Sequence, residues 1–391
     1  MNKRYEELDS LRGVAALFVV FSHMYQVIPP RKLSKIIFEF SPLRLFISGG
    51  EAVILFFILS GFVLALPYFN NNQSSYTSFI IKRICRIYMP YLVAMFIAIG
   101  CREIYYEGRM KGLSGWVNSF WTAPLSFQAV KDHVLMLGTF LSNLNPVIWS
   151  LVHEMRISII FPLIMLLIVK LDWKKSLSLS VLCTLVAMIL FEIFQPKNTG
   201  VEYVASLNYT AMFIIGALIA KHRTFIASKY NLLNKKMKLL IFASGLVTYL
   251  LIHPSFAIKA FVYQGISPFY RTVIDSWAIT LGAAILIIFA INSALFSKIL
   301  RTKFVCFLGK ISYSLYLIHV VIILTMLQTL HSTGVPIRII LIGSLLVSFL
   351  FATLMYNFIE KPSIKLGKYL TTTRLKQNKS VESEKVSSKF A

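Results

Sequence analysis

The sequence predicts an all-α, polytopic transmembrane helical bundle with about ten spans. Charged residues make up only 14% of the 391 residues and hydrophobic residues 57%, whereas a globular chain carries about 25% charged residues. The apolar residues stand in long blocks, and the mean hydropathy is +0.71. This composition excludes a soluble globule, a disordered chain and a coiled coil.

Ten stretches of the chain are predicted to be membrane-spanning helices. A hydrocarbon core about 30 Å thick requires roughly 20 apolar residues in a helix. The first stretch is not expected to be a cleaved signal peptide, because the residues before it are mixed in charge and no small-residue cleavage site follows it. The ten predicted spans are residues 11–28, 49–68, 88–104, 148–170, 176–194, 203–221, 238–254, 272–292, 311–330 and 336–359.

The distribution of Lys and Arg predicts that both termini are cytoplasmic. If the N-terminus lies inside, the inner segments carry 26 Lys and Arg residues and the outer segments carry 12, as expected when positive residues collect on the cytoplasmic side. Residues 1–370 are predicted to form one transmembrane domain. Residues 371–391 are rich in Lys and Ser and are predicted to be a disordered basic cytoplasmic tail.

The remaining composition argues against two other kinds of partner. The net charge of +24 does not indicate nucleic-acid binding, because the basic residues lie between apolar blocks and not on one amphipathic face. The four cysteines are scattered without a C-x-x-C pair, so neither a metal site nor a disulfide framework is predicted.

Ionisable residues inside the first span are the first functional candidates, because charged groups in a membrane are costly. Arg12 and His23 are eleven residues apart, a rotation of roughly 1100° that places both on nearly the same helix face. They are separated by about 16 Å along the helix axis. Taken singly, His23 also fits an interhelical core histidine and Arg12 a snorkelling anchor.

Small and basic residues follow in and after the second span. Ser60 and Gly61 near mid-depth favour close helix packing on spacing alone. Arg83 and Arg86 stand in a basic cluster before the third span. The positive-inside rule explains much of this cluster, but two guanidinium groups three residues apart could also clamp a phosphate.

A buried carboxylate is predicted in the fourth span. Glu154 lies within two turns of the outer end, at a depth similar to that of His23. We expect the two residues to form a pair that orients the imidazole; a structural pair between Glu154 and an arginine is the alternative. Arg156 and His319 receive no assigned role, although Tyr316 and His319 share a helix face.

Six segments of this chain resemble those of the membrane-bound acyltransferase family 3, the O-acyltransferases that modify exported sugars and related acceptors. They occur in the family's order and extend over nearly the whole chain. The six segments are LDSLRGVAALFVVFSH (8–23), FFILSGF (56–62), KRICRIYMPY (82–91), WSLVHE (149–154), LGKISYSLYLIH (308–319) and EKP (360–362).

The resemblance implies a multi-pass enzyme of the cell membrane. It would move an acyl group, expected to be acetyl, from cytoplasmic acyl-CoA to a hydroxyl of an exported polysaccharide, glycolipid or related acceptor. No metal is expected. The implied catalytic residues are His23, Glu154 and Arg12. The residues expected to bind acyl-CoA are Arg83, Arg86, Ser60 and Gly61.

Two other functions remain open from the residues alone. A carrier or flippase for a sugar-containing or anionic solute would also place charges near mid-membrane, but no repeated halves are visible in the sequence. A non-catalytic membrane scaffold would not require Arg12 and His23 on one face.

Overall fold

The structure is a computed structural model that describes residues 5–39, 41–136, 143–195 and 199–372. Every regular element in these ranges is helical. Most of the predicted tail, from residue 373 onward, lies outside the described residues. The helices are α1 (Glu6–Val27), α2 (Lys32–Glu39), α3 (Gly49–Phe69), α4 (Tyr76–Arg83), α5 (Met89–Tyr105), α6 (Phe127–Leu135), α7 (Ile148–Lys170), α8 (Trp173–Phe194), α9 (Thr199–Lys221), α10 (Arg223–Leu232), α11 (Lys235–Leu251), α12 (Pro254–Phe261), α13 (Pro268–Asn292), α14 (Ala294–Leu300), α15 (Lys303–Leu330) and α16 (Ile337–Met355).

Within the described ranges, eight helical segments are long and apolar enough to cross a membrane, and α11 with α12 makes a ninth if this pair, bent by 57°, is one span. The chain is therefore a polytopic helical membrane protein. The eight segments are Gly49–Phe69, Tyr76–Tyr105, Ile148–Lys170, Trp173–Phe194, Tyr203–Lys221, Pro268–Asn292, Lys303–Thr333 and Ile337–Thr372.

The sequence predicts about ten spans, and eight or nine helical segments of the described ranges meet this criterion of length and apolar composition. The predicted first span coincides with α1, a helix of 22 residues. It is not among the apolar spans, because Arg12, His23 and the acidic residues of its first turn lower its hydropathy. Ionisable residues within a membrane helix often mark a functional site, so the same residues make α1 a candidate part of such a site.

Polar side chains mark where several helices begin. The carboxylate of Asp172 accepts from the backbone N–H of Lys175 at the start of α8, and Asn234 caps α11 in the same way. Ser267 caps α13, whose first residue is Pro268. Such residues satisfy backbone N–H groups that have no partner within the helix, so they place the helix ends between the apolar blocks.

Glycines allow two helix pairs to approach closely, and these contacts fix the bundle. A Cβ added to Gly13 of α1 would lie 2.3 Å from the backbone nitrogen of Gly309 in α15. A Cβ added to Gly61 of α3 would lie 2.1 Å from the carbonyl oxygen of Phe213 in α9. Backbones can meet this closely only where side chains are absent, so Gly61 has the packing role that its spacing favoured.

Helix α15 occupies the centre of the bundle and α8 its periphery. The most apolar part of the α15 span is 78% buried within the protein, against 17% for the α8 span. Helix α15 packs against α1, α5 and α16, whereas α8 packs mainly against α9. The central position of α15 lets its polar residues meet partners from several helices.

Candidate functional site

Two histidines from different helices form the centre of the candidate site. His23 Nδ1 of α1 lies 2.8 Å from His319 Nε2 of α15. The two imidazole planes are inclined by only 9°, with ring centroids 5.1 Å apart. His319 is fully buried and His23 is partly buried, so the outer member of the pair retains access from its surroundings.

The hydrogen bonds assign the protons of both rings when each imidazole is neutral. His319 Nδ1 lies 2.9 Å from the carbonyl oxygen of Leu315. Because a carbonyl can only accept, His319 donates from Nδ1 and its Nε2 carries a lone pair. His23 must then donate from Nδ1 to that nitrogen. The lone pair on His23 Nε2 is left free to remove a proton or to attack a carbonyl carbon.

The loop after α5 covers the histidine pair. The indole of Trp116 stacks on His23, with centroids 5.1 Å apart and planes inclined by 24°. The loop is tied to the end of α1 by the Ser114 backbone N–H, which donates to the Val27 carbonyl over 3.0 Å. An aromatic cover of this kind helps to exclude water from the imidazole.

Glu154 does not contact His23, so the expected His23–Glu154 pair is not formed. Its Oε1 accepts from an Arg83 Nη2 at 2.8 Å and from the Ser60 hydroxyl at 3.0 Å. The same Arg83 nitrogen lies 2.8 Å from the Ser158 hydroxyl oxygen. The arrangement joins α3, α4 and α7 and corresponds to the alternative of a Glu154–arginine pair. His319 takes the position beside His23 that was expected for Glu154.

Three arginines come close together near the start of α1. Arg86 interacts electrostatically with Arg12, Arg83 and the carboxylate of Glu360. Arg12 also lies 3.7 Å from Asp9. Guanidinium groups from α1, α4 and the turn after α4 are thus within electrostatic range of one another.

The two arginines predicted to act as one clamp have different surroundings. Arg83 is 8% exposed and bonded to Glu154, whereas Arg86 is exposed. A π-helical turn from Ile84 to Tyr88 carries Arg86. Its wider winding changes the angle between residues three apart, so only Arg86 is directed outward.

A polar stripe on α15 connects the arginines with the histidines. The Tyr313 hydroxyl donates to the Ile87 carbonyl over 2.7 Å, and Tyr313 interacts electrostatically with Arg83. The Tyr316 hydroxyl lies 2.7 Å from that of Ser150. Because Tyr313, Tyr316 and His319 are spaced by three residues, they follow one another along one face.

Sequence reasoning did not assign His319 to the site, although the spacing on α15 was visible. Assigning His319 would have required knowing that α1 packs against this face of α15. Which helices pack together depends on tertiary structure and cannot be read from one segment. The contact of Trp116 with His23 depends on how the loop after α5 folds over α1, which no local sequence pattern specifies. Arg156 stacks over the Tyr203 ring, 4.0 Å from its centroid; these two residues lie outside the histidine pair and its hydrogen bonds.

Among the described residues, no group of three or more His, Cys, Asp or Glu side chains is arranged to hold a metal ion. The histidine pair is completed by a backbone carbonyl and a tryptophan ring. Its chemistry is that of an oriented imidazole, which suits proton transfer and acyl transfer.

Comparison with known proteins gives one family and several distant relatives. The chain is 25% identical over 383 residues to YrhL of Bacillus subtilis, a protein named for peptidoglycan O-acetylation; the match covers 91% of this chain and 54% of YrhL. It is 23% identical over 382 residues to the O-acetyltransferase OatA of Staphylococcus aureus, covering 92% of this chain and 57% of OatA. The chain thus spans little more than half the length of these relatives.

No solved structure matches the chain. The family model of acyltransferase family 3, described as an acyltransferase domain, matches residues 5–357. These residues include α1, the arginines, Glu154 and the polar face of α15. The chain therefore belongs to acyltransferase family 3.

Proposed function

We propose that this protein is a membrane O-acetyltransferase that moves an acetyl group from acyl-CoA to a hydroxyl of an exported carbohydrate or glycolipid. The family membership and the names of the relatives from Bacillus subtilis and Staphylococcus aureus support the reaction class. The observation that carries the proposal is the His23–His319 pair, because it leaves a lone pair on an oriented and partly accessible imidazole nitrogen.

The arginine cluster is proposed to bind the anionic donor. Arg86 is exposed, interacts electrostatically with Arg12, Arg83 and Glu360, and forms no ion pair within the part of the chain that the structure describes, so its guanidinium is suited to a phosphate of CoA. Arg12 adds positive charge on the same side. Arg83 and Ser60 support this site through Glu154. Gly61 lets α3 approach the Phe213 backbone of α9, and its contact with the donor stays a prediction.

The polar stripe on α15 offers a path for the amide-containing arm of the donor. Tyr313 lies beside the arginines and Tyr316 lies one turn before His319. The arm would pass along these hydroxyls and bring the thioester to His23. The separation of about 16 Å between Arg12 and His23 along α1 is the distance that the arm would cover.

His23 Nε2 is proposed to act at the thioester in one of two ways. As a general base it would take the acceptor proton while the acceptor oxygen attacks the thioester carbon. The carbon–sulfur bond would then break, and the departing thiolate would take the proton. As a nucleophile its Nε2 would attack the thioester carbon, and the carbon–sulfur bond would break to release the CoA thiolate and leave an acyl-imidazole. The acceptor oxygen would then attack the acyl carbon, the nitrogen–carbon bond would break, and the hydroxyl proton would pass to the thiolate. Both routes use the same free nitrogen.

The protein is proposed to be a multi-pass protein of the cell membrane with both termini in the cytoplasm. The donor would then enter at the arginines on the cytoplasmic side, and His23 would lie toward the outer leaflet. The excess of Lys and Arg in the inner segments supports this orientation.

A reconstitution assay tests the proposal. The full chain in liposomes is given labelled acetyl-CoA and a candidate acceptor, such as a peptidoglycan fragment or a short glycan, and CoA release and acceptor labelling are measured. Transfer is expected with the wild type and not with His23→Ala. The matched control is His331→Ala, which removes a partly exposed histidine outside the site, where its Nε2 lies 2.9 Å from the Lys111 carbonyl oxygen.

Two outcomes would contradict the proposal. If His23→Ala transferred acetyl at the wild-type rate, His23 would have no role in the reaction. Acceptor movement across the liposome membrane, without CoA release for any acceptor, would instead favour a carrier or flippase.

A further inference from the structure

A cavity of about 980 Å³ lies beside α1 on the face turned away from His23. Helix α1 contributes Phe21, Met24 and Tyr25 to its wall. At about 100° per residue, these positions centre roughly 150° from His23 around the helix. The cavity is therefore separate from the proposed acetyl-transfer site, although both share one helix.

The remaining wall comes from α2 and the start of α16. Phe38 of α2 and Ile337 and Leu341 of α16 line the cavity, so its interior is largely apolar. The cavity lies where α1 ends and α16 begins. Because the ends of membrane-spanning helices lie near the membrane surface, we expect the cavity to lie near the level of the lipid head groups.

The wall of the cavity includes two arginines from distant parts of the chain. Arg31 precedes α2 and Arg338 lies in the first turn of α16, and both line the cavity. Both are exposed. Their guanidinium groups can donate paired hydrogen bonds to a phosphate, and the hydroxyls of Tyr25 and Ser34 add polar groups to the same wall.

Helix α2 has the features of a helix that lies in a membrane surface. None of its residues is buried, and Leu33 and Ile36 are 68% and 62% exposed. Residues 31–39 hold three basic residues and one acidic residue, Glu39, and Glu39 interacts electrostatically with Tyr25. Exposed apolar residues beside a positive excess are typical of segments that contact anionic lipids.

We propose that this cavity binds an anionic phosphoglyceride. Arg31 and Arg338 hold its phosphate, and its acyl chains lie against the apolar residues of α1, α2 and α16. A single ligand class accounts for both the apolar wall and the paired arginines. The bound lipid would support the side of α1 opposite His23.

Lipid binding can be measured on the purified full chain by native mass spectrometry, without any turnover, so the result does not depend on the proposed acetyl transfer. The probes are phosphatidylglycerol and phosphatidylcholine with identical acyl chains. Phosphatidylglycerol is expected to bind more tightly, and Arg31→Gln with Arg338→Gln should weaken its binding about tenfold by removing two charge-assisted contacts.

The matched control is Arg109→Gln with Lys111→Gln, which removes two charges from an exposed loop near the same end of α1. It should bind phosphatidylglycerol as the wild type does. Ile28→Trp tests the apolar wall, which includes Ile28: it fills the cavity without changing charge and should also weaken binding.

Three results would overturn the proposal. They are equal affinities for the two phospholipids, equal binding by the arginine variant and its control, and unimpaired binding by Ile28→Trp. Tighter binding of a polyprenyl phosphate than of phosphatidylglycerol would also contradict it, because the cavity would then belong to another class of lipid.

Discussion

His319 determines which nitrogen of His23 carries the proton. Its own proton is fixed by the Leu315 carbonyl, and its bare nitrogen then accepts from His23. In many acyl-transfer enzymes a carboxylate orients the active histidine; here a second imidazole makes that contact. His319 is therefore proposed as a positioning residue, since its ring contacts His23 and no substrate contact is assigned to it.

Replacing His319 should reduce turnover without weakening donor binding. His319→Ala leaves the His23 tautomer unfixed, and we expect kcat to fall about 10²- to 10⁴-fold with little change in the KM for acetyl-CoA. His319→Gln should restore part of kcat, because its amide oxygen can accept from His23 Nδ1. Steady-state kinetics of both variants provide the measurement. Equal kcat values for Ala and Gln would argue that the ring serves packing alone.

The contrast between Arg83 and Arg86 separates a structural ion pair from a donor contact. Arg86→Ala is expected to raise the KM for acetyl-CoA several-fold while kcat changes little, because it removes binding shared by ground and transition states. Kinetics over a range of acetyl-CoA concentrations measure this effect. Lys82→Ala removes the exposed neighbouring charge and is the control. An unchanged KM in Arg86→Ala would mean that this arginine does not bind the donor and only contributes to the orientation of the protein in the membrane.

Arg83 is a less suitable position for that test. Its removal would leave Glu154 without its arginine in a largely buried setting, and breaking such a pair costs about 3 kcal/mol or more. A double substitution of Arg83 and Arg86 would therefore mix loss of folding with loss of donor binding.

At the scale of helices, the contact between α1 and α15 sets the distance between the two imidazoles. Gly13 and Gly309 let the backbones meet near one end of the pair, and His23 and His319 meet further along the same two helices. The stability of this contact comes from close van der Waals packing, which is a main source of helix association in membranes.

Gly13→Ala should separate the two helices and lower activity. The new Cβ would lie 2.3 Å from the Gly309 nitrogen, a backbone atom that moves only with its helix. We expect a lower kcat and a destabilisation of about 1–3 kcal/mol from overpacking, measured by transfer assays and thermal unfolding. Gly100→Ala is the control, since no atom lies within 4 Å of its added Cβ. Wild-type kcat in Gly13→Ala would show that the contact is not needed for alignment.

The positions of most helices could be predicted because long apolar blocks report directly on membrane-length helices. The blocks at 148–170 and 49–68 correspond closely to α7 and α3. The bend between α11 and α12 was not predicted, although Pro254 begins the second helix. The π-helical turn before α5 was also missed, because such a turn depends on packing more than on local sequence.

The candidate site could be predicted only in part. The shared face of Arg12 and His23 follows from helix periodicity within one segment. The partners of His23 and Glu154 lie on other helices, and a match in depth is not sufficient to choose among several possible neighbours. For this reason the sequence predicts a pair between Glu154 and His23, whereas in the structure Glu154 is paired with Arg83.

At the scale of the whole molecule, a second charged cluster connects segments far apart in the chain. The buried carboxylate of Glu51 lies 2.8 Å from Arg44 Nη2 and 3.2 Å from His253 Nε2. His253 Nδ1 in turn lies 3.7 Å from Asp275. The cluster joins the start of α3 to the bend between α11 and α12 and to α13.

Removing the charge of Glu51 should destabilise the whole bundle. Glu51→Gln removes the negative charge that both Arg44 and His253 contact, while Arg44 Nη2 still lies 2.7 Å from His253 Nε2. Loss of one partner from a buried pair costs about 3 kcal/mol. Thermal unfolding of the purified protein should show a lower apparent Tm. Glu107→Gln, on an exposed loop, should leave it unchanged. Equal apparent Tm values for the two variants would mean that the cluster adds nothing to stability.

The Leu315 carbonyl behind the two imidazoles has a consequence for the energetics of the proposed reaction. A carbonyl has no proton to release and no formal charge, so it provides no onward route for a proton that reaches His23. The leaving thiolate is then the natural destination for that proton. The acceptor would thus exchange its hydroxyl proton for the acetyl group, and CoA would leave as the neutral thiol, so one cycle of the proposed reaction would transfer no net charge.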